Sequence, residues 1–189
     1  IVMLTGDIVT NCENPEDTKK MINALMNIFE KRNIPVALTF GNHDSEQGAL
    51  TREELMAYYN TFSCSVSIED GETLSGCGTY NIPVFSSNGE KVKFNLWVFD
   101  SGDYDENGHY SCVKPDQIEW YKSESKKLEK KAGEKVPSLV FQHMVVQEVY
   151  EVMFPKAYID IPTLTETYSG VTYSVFNPKT ESFTGHMYE

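Results

Sequence analysis

Three short apolar runs in this chain each stop at residues that a packed core would not choose. Ile1 to Thr5 ends in Gly6-Asp7, Ile34 to Phe40 ends in Gly41-Asn42-His43-Asp44, and Pro137 to Phe141 ends in Gln142-His143. Apolar runs of this length bounded by glycine or proline read as buried strands. Between the first two, Asn14 caps a helix opened by Pro15 and running to about Arg32, with Glu16 and Asp17 in its first turn. Its apolar face is Met21, Ile22, Leu25, Met26 and Phe29. Strand, helix, strand in this order is a βαβ unit, so the two strands are parallel and joined by a right-handed crossover. Open α/β sheets bind ligands in the crevice outside the carboxyl ends of their strands. Asp7, Asn42 and His143 would meet there as one metal site with oxygen and nitrogen ligands.

The rest of the chain alternates in texture. Thr51 and Glu54 form a capping box, with Leu50 and Leu55 as a hydrophobic staple, for a helix to about Phe62. Tyr80 to Phe85 and Val92 to Asp100, joined at Asn88-Gly89, predict a hairpin. Pro115 opens a helix that ends near Gly133, and Val136 to Gln142 returns as a strand. Val146 to Phe154 is expected to be a short helix, and Tyr168 to Phe176 a strand. Hairpins mixed with βαβ units imply an α/β fold of two sheets flanked by helices. A length of 189 residues fits one domain over residues 1–189.

Composition narrows the partners. The net charge of −12 disfavours nucleic acid, whose binding rests on neutralising phosphates. No stretch has the length of a membrane span. Cys12, Cys64, Cys77 and Cys112 lack C-x-x-C spacing, so a zinc ribbon is not expected; Cys64 and Cys77 are the most natural disulfide pair, and free thiols remain an equal alternative. Two look-alikes fail. Asp103-x-Asp105-x-Asn107-Gly108 opens like a calcium loop but has Lys114 at its twelfth position, and Gly71 to Gly76 has P-loop spacing with Cys77 in place of the lysine.

Gly6-Asp7, Gly41 to Asp44 and the strand-end His143 together resemble the middle three motifs of the calcineurin-like metallophosphoesterases, whose order is D-x-H, GD, GNH[DE], a lone His and GH-x-H. The resemblance spans about residues 1 to 150. Val98 to Asp103 and Lys114 to Gln117 with Trp120 are similar to its purple-acid-phosphatase-like branch. The flanking motifs are not found: no D-x-H stands before Gly6-Asp7, and Gly185-His186-Met187-Tyr188 has Tyr188 where the second His belongs. Against the family pattern, the chain reads as a catalytic domain trimmed at both ends.

The resemblance implies a four-layer αββα sandwich and a hydrolase for phosphate mono- or diesters, small or protein-borne. It implies two divalent metal ions (Mn, Fe or Zn), with reduced occupancy in a chain holding only Asp7, Asn42 and His143 as ligands. Two such ions clamp the attacking and leaving oxygens and acidify bound water. Asp7 would bridge them, and Asn42 and His143 would hold one. Metal-bound hydroxide would attack, with His43 as general acid oriented by Asp44. Thr10 stands where purple acid phosphatases place an iron-binding tyrosine, so a non-purple centre is expected. A non-catalytic scaffold of the same fold is the alternative. His109, in the loop after Asp103, and the tail residue His186 are weaker candidates.

Overall fold

A computed structural model describes residues 1–10, 12–46, 49–69 and 74–146, together with the strands at 163–168 and 171–176. The chain divides into two compact units, residues 1–103 with 111–144, and residues 104–110 with 145–189.

The first unit begins with the βαβ element. Strand β1 (Val2–Thr5) pairs in parallel with β2 (Val36–Thr39), Val2 opposite Val36 and Thr5 opposite Thr39. Helix α1 (Pro15–Glu30) connects them, and the Asn14 side chain accepts from the Asp17 amide at 3.0 Å, which satisfies an otherwise orphaned helix donor. Helix α2 (Arg52–Tyr59) starts from the capping box of Thr51 and Glu54. Ile22 and Met26 of α1 and Leu55, Met56 and Tyr59 of α2 close over Val36, Leu38 and Phe40 as one buried cluster. Each such side chain contributes about 1.5–3 kcal/mol by leaving water. Met21 is off this face and exposed.

The opposite face of the same strands builds the second layer contact. Side chains alternate along a strand, so Met3 and Ala37 face away from the helices and pack with Tyr80, Ile82 and Val98. These belong to β3 (Tyr80–Phe85) and β4 (Val92–Val98), an antiparallel pair with an irregularity at Val84/Phe85. Pro83 is tolerated because β3 is an edge strand in the order β3-β4-β5. The Tyr80 hydroxyl donates to the Leu38 carbonyl at 2.7 Å, and the Thr39 hydroxyl donates to the Phe99 carbonyl at 2.8 Å, so polar ties accompany the apolar contact between sheets.

Helix α3 (Pro115–Ala132) forms the outer layer. Its Trp120 and Tyr121 meet the buried Trp97 ring edge-on at centroid distances of 5.7 and 4.9 Å. The chain leaves α3 through Gly133 in the left-handed conformation and returns as β5 (Ser138–Phe141), parallel to β4. Helices, sheet, sheet, helix is the expected αββα order, with one all-parallel and one mixed sheet.

In the second unit, β6 (Thr163–Tyr168) and β7 (Val171–Phe176) form an antiparallel pair. The single strand expected over 168–176 is therefore one arm of a hairpin. The helix expected over 146–154 lies almost wholly outside the described residues. Among the described residues no helix is long and apolar enough to cross a membrane.

Glu30 fastens the end of α1 to the segment alongside β2. Its carboxylate accepts from the Ser63 hydroxyl at 2.7 Å and the Cys64 amide at 2.9 Å, and these bonds, Ser63 foremost, pull its pKa from 4.5 down to about 2. A carboxyl lowered in the folded state stabilises above its unfolded pKa, and that stabilisation is lost as pH falls from about 4.5 towards 2. Urea midpoints at pH 7 and pH 3 should therefore fall less for Glu30→Gln than for the parent; equal falls would contradict this.

Candidate functional site

The site is assembled where β1, β2 and β5 end. After Thr5 the backbone turns through Gly6 at φ 94° and Asp7 at φ 54°. Both lie in the left-handed region, which costs glycine nothing and is tolerated by aspartate better than by most residues. This turn aims successive amides inward. The N–H groups of Asp7, Ile8 and Val9 donate to the Asp44 carboxylate at 2.8, 2.8 and 3.0 Å, and Gly41 N–H donates to it at 2.7 Å. Asp44 is only 7 % exposed. One buried carboxylate thus clips the loop after β1 to the loop after β2.

The two loops touch so closely that neither tip tolerates a side chain. A Cβ on Gly41 would stand 2.1 Å from Asp7 Oδ1, and one on Gly6 would stand 2.4 Å from Gly41 N and 2.7 Å from His143 Nδ1. The space that the missing Cβ atoms leave is where the third strand end arrives. His143 follows β5, and its Nδ1 lies 2.8 Å from the Thr5 carbonyl oxygen. A carbonyl can only accept, so Nδ1 donates to it and Nε2 is the ring nitrogen turned towards Asp7.

That nitrogen lies 3.2 Å from Asp7 Oδ2. A proton on Nε2 makes this contact an ion pair, and a divalent cation in place of that proton would be held by the same two atoms. Ligands bonded to one transition-metal ion at about 2.0–2.2 Å are separated by about this much. An imidazole fixed through its other nitrogen by a backbone carbonyl is also the usual outer-shell arrangement of a metal-binding histidine. The remaining Asp7 oxygen, Oδ1, accepts from the His43 amide at 3.0 Å. Asn42, between these two contacts in sequence, is 3 % exposed and offers an amide oxygen. The donor set therefore suits a divalent cation that takes mixed nitrogen and oxygen ligands. Among the described residues, no group of three His, Cys, Asp or Glu side chains gathers.

His43 differs from expectation in its partner. Its Nδ1 meets the Glu46 carboxylate, a bond that raises the imidazole pKa above its ordinary value, with Asp7 adding in the same direction. Asp44 does not bond to the ring, because its oxygens are occupied by the four amides. It acts on the loop as a whole.

Sequence gives no signal for Arg52 and none for the structural part that Asp100 plays. Arg52 pairs through Nη1 with Asp100, donates through Nη2 to the Gly41 carbonyl at 2.8 Å, and lies with its guanidinium 5.8 Å from the Phe40 ring centroid. Asp100 follows β4, its side chain is fully buried, and it also accepts from the Cys77 and Gly102 amides. The pair locks the Gly41–Asp44 loop to the second sheet. Gln117, from the stretch noted in sequence, is a buttress: its Nε2 donates to the Thr79 hydroxyl at 2.6 Å and to the Asp100 carbonyl at 2.7 Å. An arginine opening an exposed helix turn gives no hint of this; Asp100 was flagged only as part of a softer stretch.

The remaining candidates fall elsewhere. His109 belongs to the second unit, where it faces Asp105 at 3.5 Å. His186 lies outside the described residues. Cys64 and Cys77 are buried thiols in the same apolar cluster and not a disulfide, the second of the two alternatives, and burial pushes the Cys64 thiol up to about 11.

The calcineurin-like phosphoesterase family matches residues 1–174. An uncharacterized protein of Schizosaccharomyces pombe is 31 % identical over 126 residues, 65 % of this chain and 23 % of that protein. Phosphatase DCR2 of Saccharomyces cerevisiae is 30 % identical over 127 residues, 62 % of this chain and 22 % of that protein. The matched region thus spans less than a quarter of either curated relative.

Asp44→Asn would turn an NH2 group towards amides that need an acceptor. Leaving buried donors unpaired costs about 1–3 kcal/mol each, so a loss of about 2–4 kcal/mol in urea unfolding is expected. A loss under about 0.5 kcal/mol, the level of an ordinary surface change, would show that the four amides do not depend on this carboxylate.

Proposed function

The chain belongs to the calcineurin-like phosphoesterase family, and we propose that it carries part of the centre of a metal-dependent phosphoesterase acting on small or protein-borne phosphate esters. The observation that carries this reading is the Asp7–His143 pair, a carboxylate oxygen and a ring nitrogen 3.2 Å apart with the histidine already fixed by Thr5. In this reading Asp7, His143 and the Asn42 side-chain oxygen hold divalent cations, with Mn, Fe and Zn all compatible. Bound at such a site, the cations would polarise the phosphoryl oxygens and acidify water.

The protein's own groups do the rest. Asp7, gripped by the His43 amide, is held at a set angle to His143. The Asp44 clip and the Arg52–Asp100 pair keep the three strand ends in register while substrate exchanges. His43, raised in pKa by Glu46, is suited to hold a proton near neutral pH and donate it to the departing alcohol. A non-catalytic scaffold of this fold would need Asp44 as much as an enzyme does, because the loop itself depends on it. His43, which presents its ring at the surface, is the residue that a scaffold would have no reason to keep.

The test uses the full-length protein containing this chain, stripped by chelation and reloaded with Mn. Metal-dependent turnover is expected on p-nitrophenyl phosphate or its bis-ester, and turnover on neither would remove the enzyme reading. His43→Ala should lower kcat at least about tenfold with metal content unchanged. Loss of metal in that variant would instead make His43 a ligand.

A further inference from the structure

We propose that Glu46 is the positioning partner of His43, fixing which ring nitrogen carries the transferable proton. The inference rests on His43 being the general acid, and it assigns the orienting role to a residue outside the Gly41–Asp44 motif. Three observations lead to it. The His43 Nδ1 is bonded to the Glu46 carboxylate, three residues along the same loop. The two acidic motif residues are committed elsewhere: Asp44 accepts from four amides, and Asp7 faces His143 Nε2 and accepts from the His43 backbone N–H. The loop is also braced at both ends, since Arg52 donates to the Gly41 carbonyl at 2.8 Å and to the Ser45 hydroxyl at 3.4 Å.

Together these fix His43 at two points. Asp7 holds its backbone, and Glu46 holds its ring. Both side chains are about 40 % exposed, so the pair adds little to stability; its effect is orientation. With Nδ1 occupied, Nε2 is the atom left to give up a proton. In the proposed step a water-derived oxygen bonds to phosphorus as the ester P–O bond breaks, with that bond's electron pair going to the leaving oxygen and the phosphate carrying away the new P–O bond. The Nε2–H bond breaks as an O–H bond forms on that oxygen, and the ring is left neutral with its proton on Nδ1, still held by Glu46. A free neutral imidazole has no such anchor for that tautomer.

Proton donation matters most for a poor leaving group, which separates positioning from general support. In the full-length protein, kcat/KM is compared for a p-nitrophenyl ester and the matching alkyl ester. Glu46→Ala should shift this ratio against the alkyl ester by about tenfold or more, a part of the usual general-acid contribution. Glu46→Gln, whose carbonyl can still accept from Nδ1, should fall between. Equal losses on both esters, leaving the ratio unchanged, would overturn the proposal. Independently of turnover, 15N NMR of the metal-free protein at about pH 9, where imidazoles are neutral, should show the His43 proton on Nδ1 in the parent and moved to Nε2 in Glu46→Ala. A parent spectrum with the proton on Nε2 also overturns it. Should neither ester be turned over, the phosphoesterase reading fails and the NMR result alone decides the role of Glu46.

Discussion

Four backbone N–H groups from two separate loops end on the one carboxylate of Asp44. The rest of the site follows from that. With Asp7, Ile8 and Val9 drawn onto it, the chain after β1 has no choice but to turn through left-handed conformations, which needs Gly6 and strains Asp7 mildly. With Gly41 drawn onto it as well, the tips of β1 and β2 come so close that no Cβ fits at either glycine. Asp7 is thereby pushed to the rim, where His143 meets it. Asp44, expected to orient His43, is the acid that builds the loop, and Asp7 faces the third strand end.

A second lock comes from the other sheet. Arg52 and Asp100 join the first turn of α2 to the end of β4 across the Gly41 carbonyl, and Gln117 supports Asp100 from α3. An ion pair this buried is weak evidence for stability, since desolvation offsets much of its attraction. Its value is registry: it sets where the Gly41–Asp44 loop sits relative to the mixed sheet. All four layers therefore contribute a residue to the same few ångströms.

Much of this was legible in the chain. Strand ends that break from apolar runs into Gly-Asp and Gly-Asn-His-Asp are conspicuous because no core needs them, and the structure brings Asp7 and His143 to 3.2 Å. Helix α1 with its Asn14 cap and α2 with its capping box came from local rules, which act over three or four residues. What sequence did not disclose is long-range. Arg52 meets Asp100 forty-eight residues on, and Glu46 sits in a loop where one carboxylate looks like any other. For Cys64 and Cys77 the short loop between them left a disulfide and free thiols equally open, and both are thiols packed among apolar neighbours. The β6 arm was missed because Thr163 to Tyr168 is too polar to read as a strand by itself, and only pairing with β7 makes it one.

The proposed function stands on Asp7 and His143 binding the same cation. Anomalous diffraction from Mn-loaded crystals of the full-length protein tests it directly. A metal peak is expected at about 2.0–2.3 Å from both an Asp7 carboxylate oxygen and His143 Nε2. A peak bonded to only one of them, or a fully loaded protein whose metal lies away from both, would contradict it.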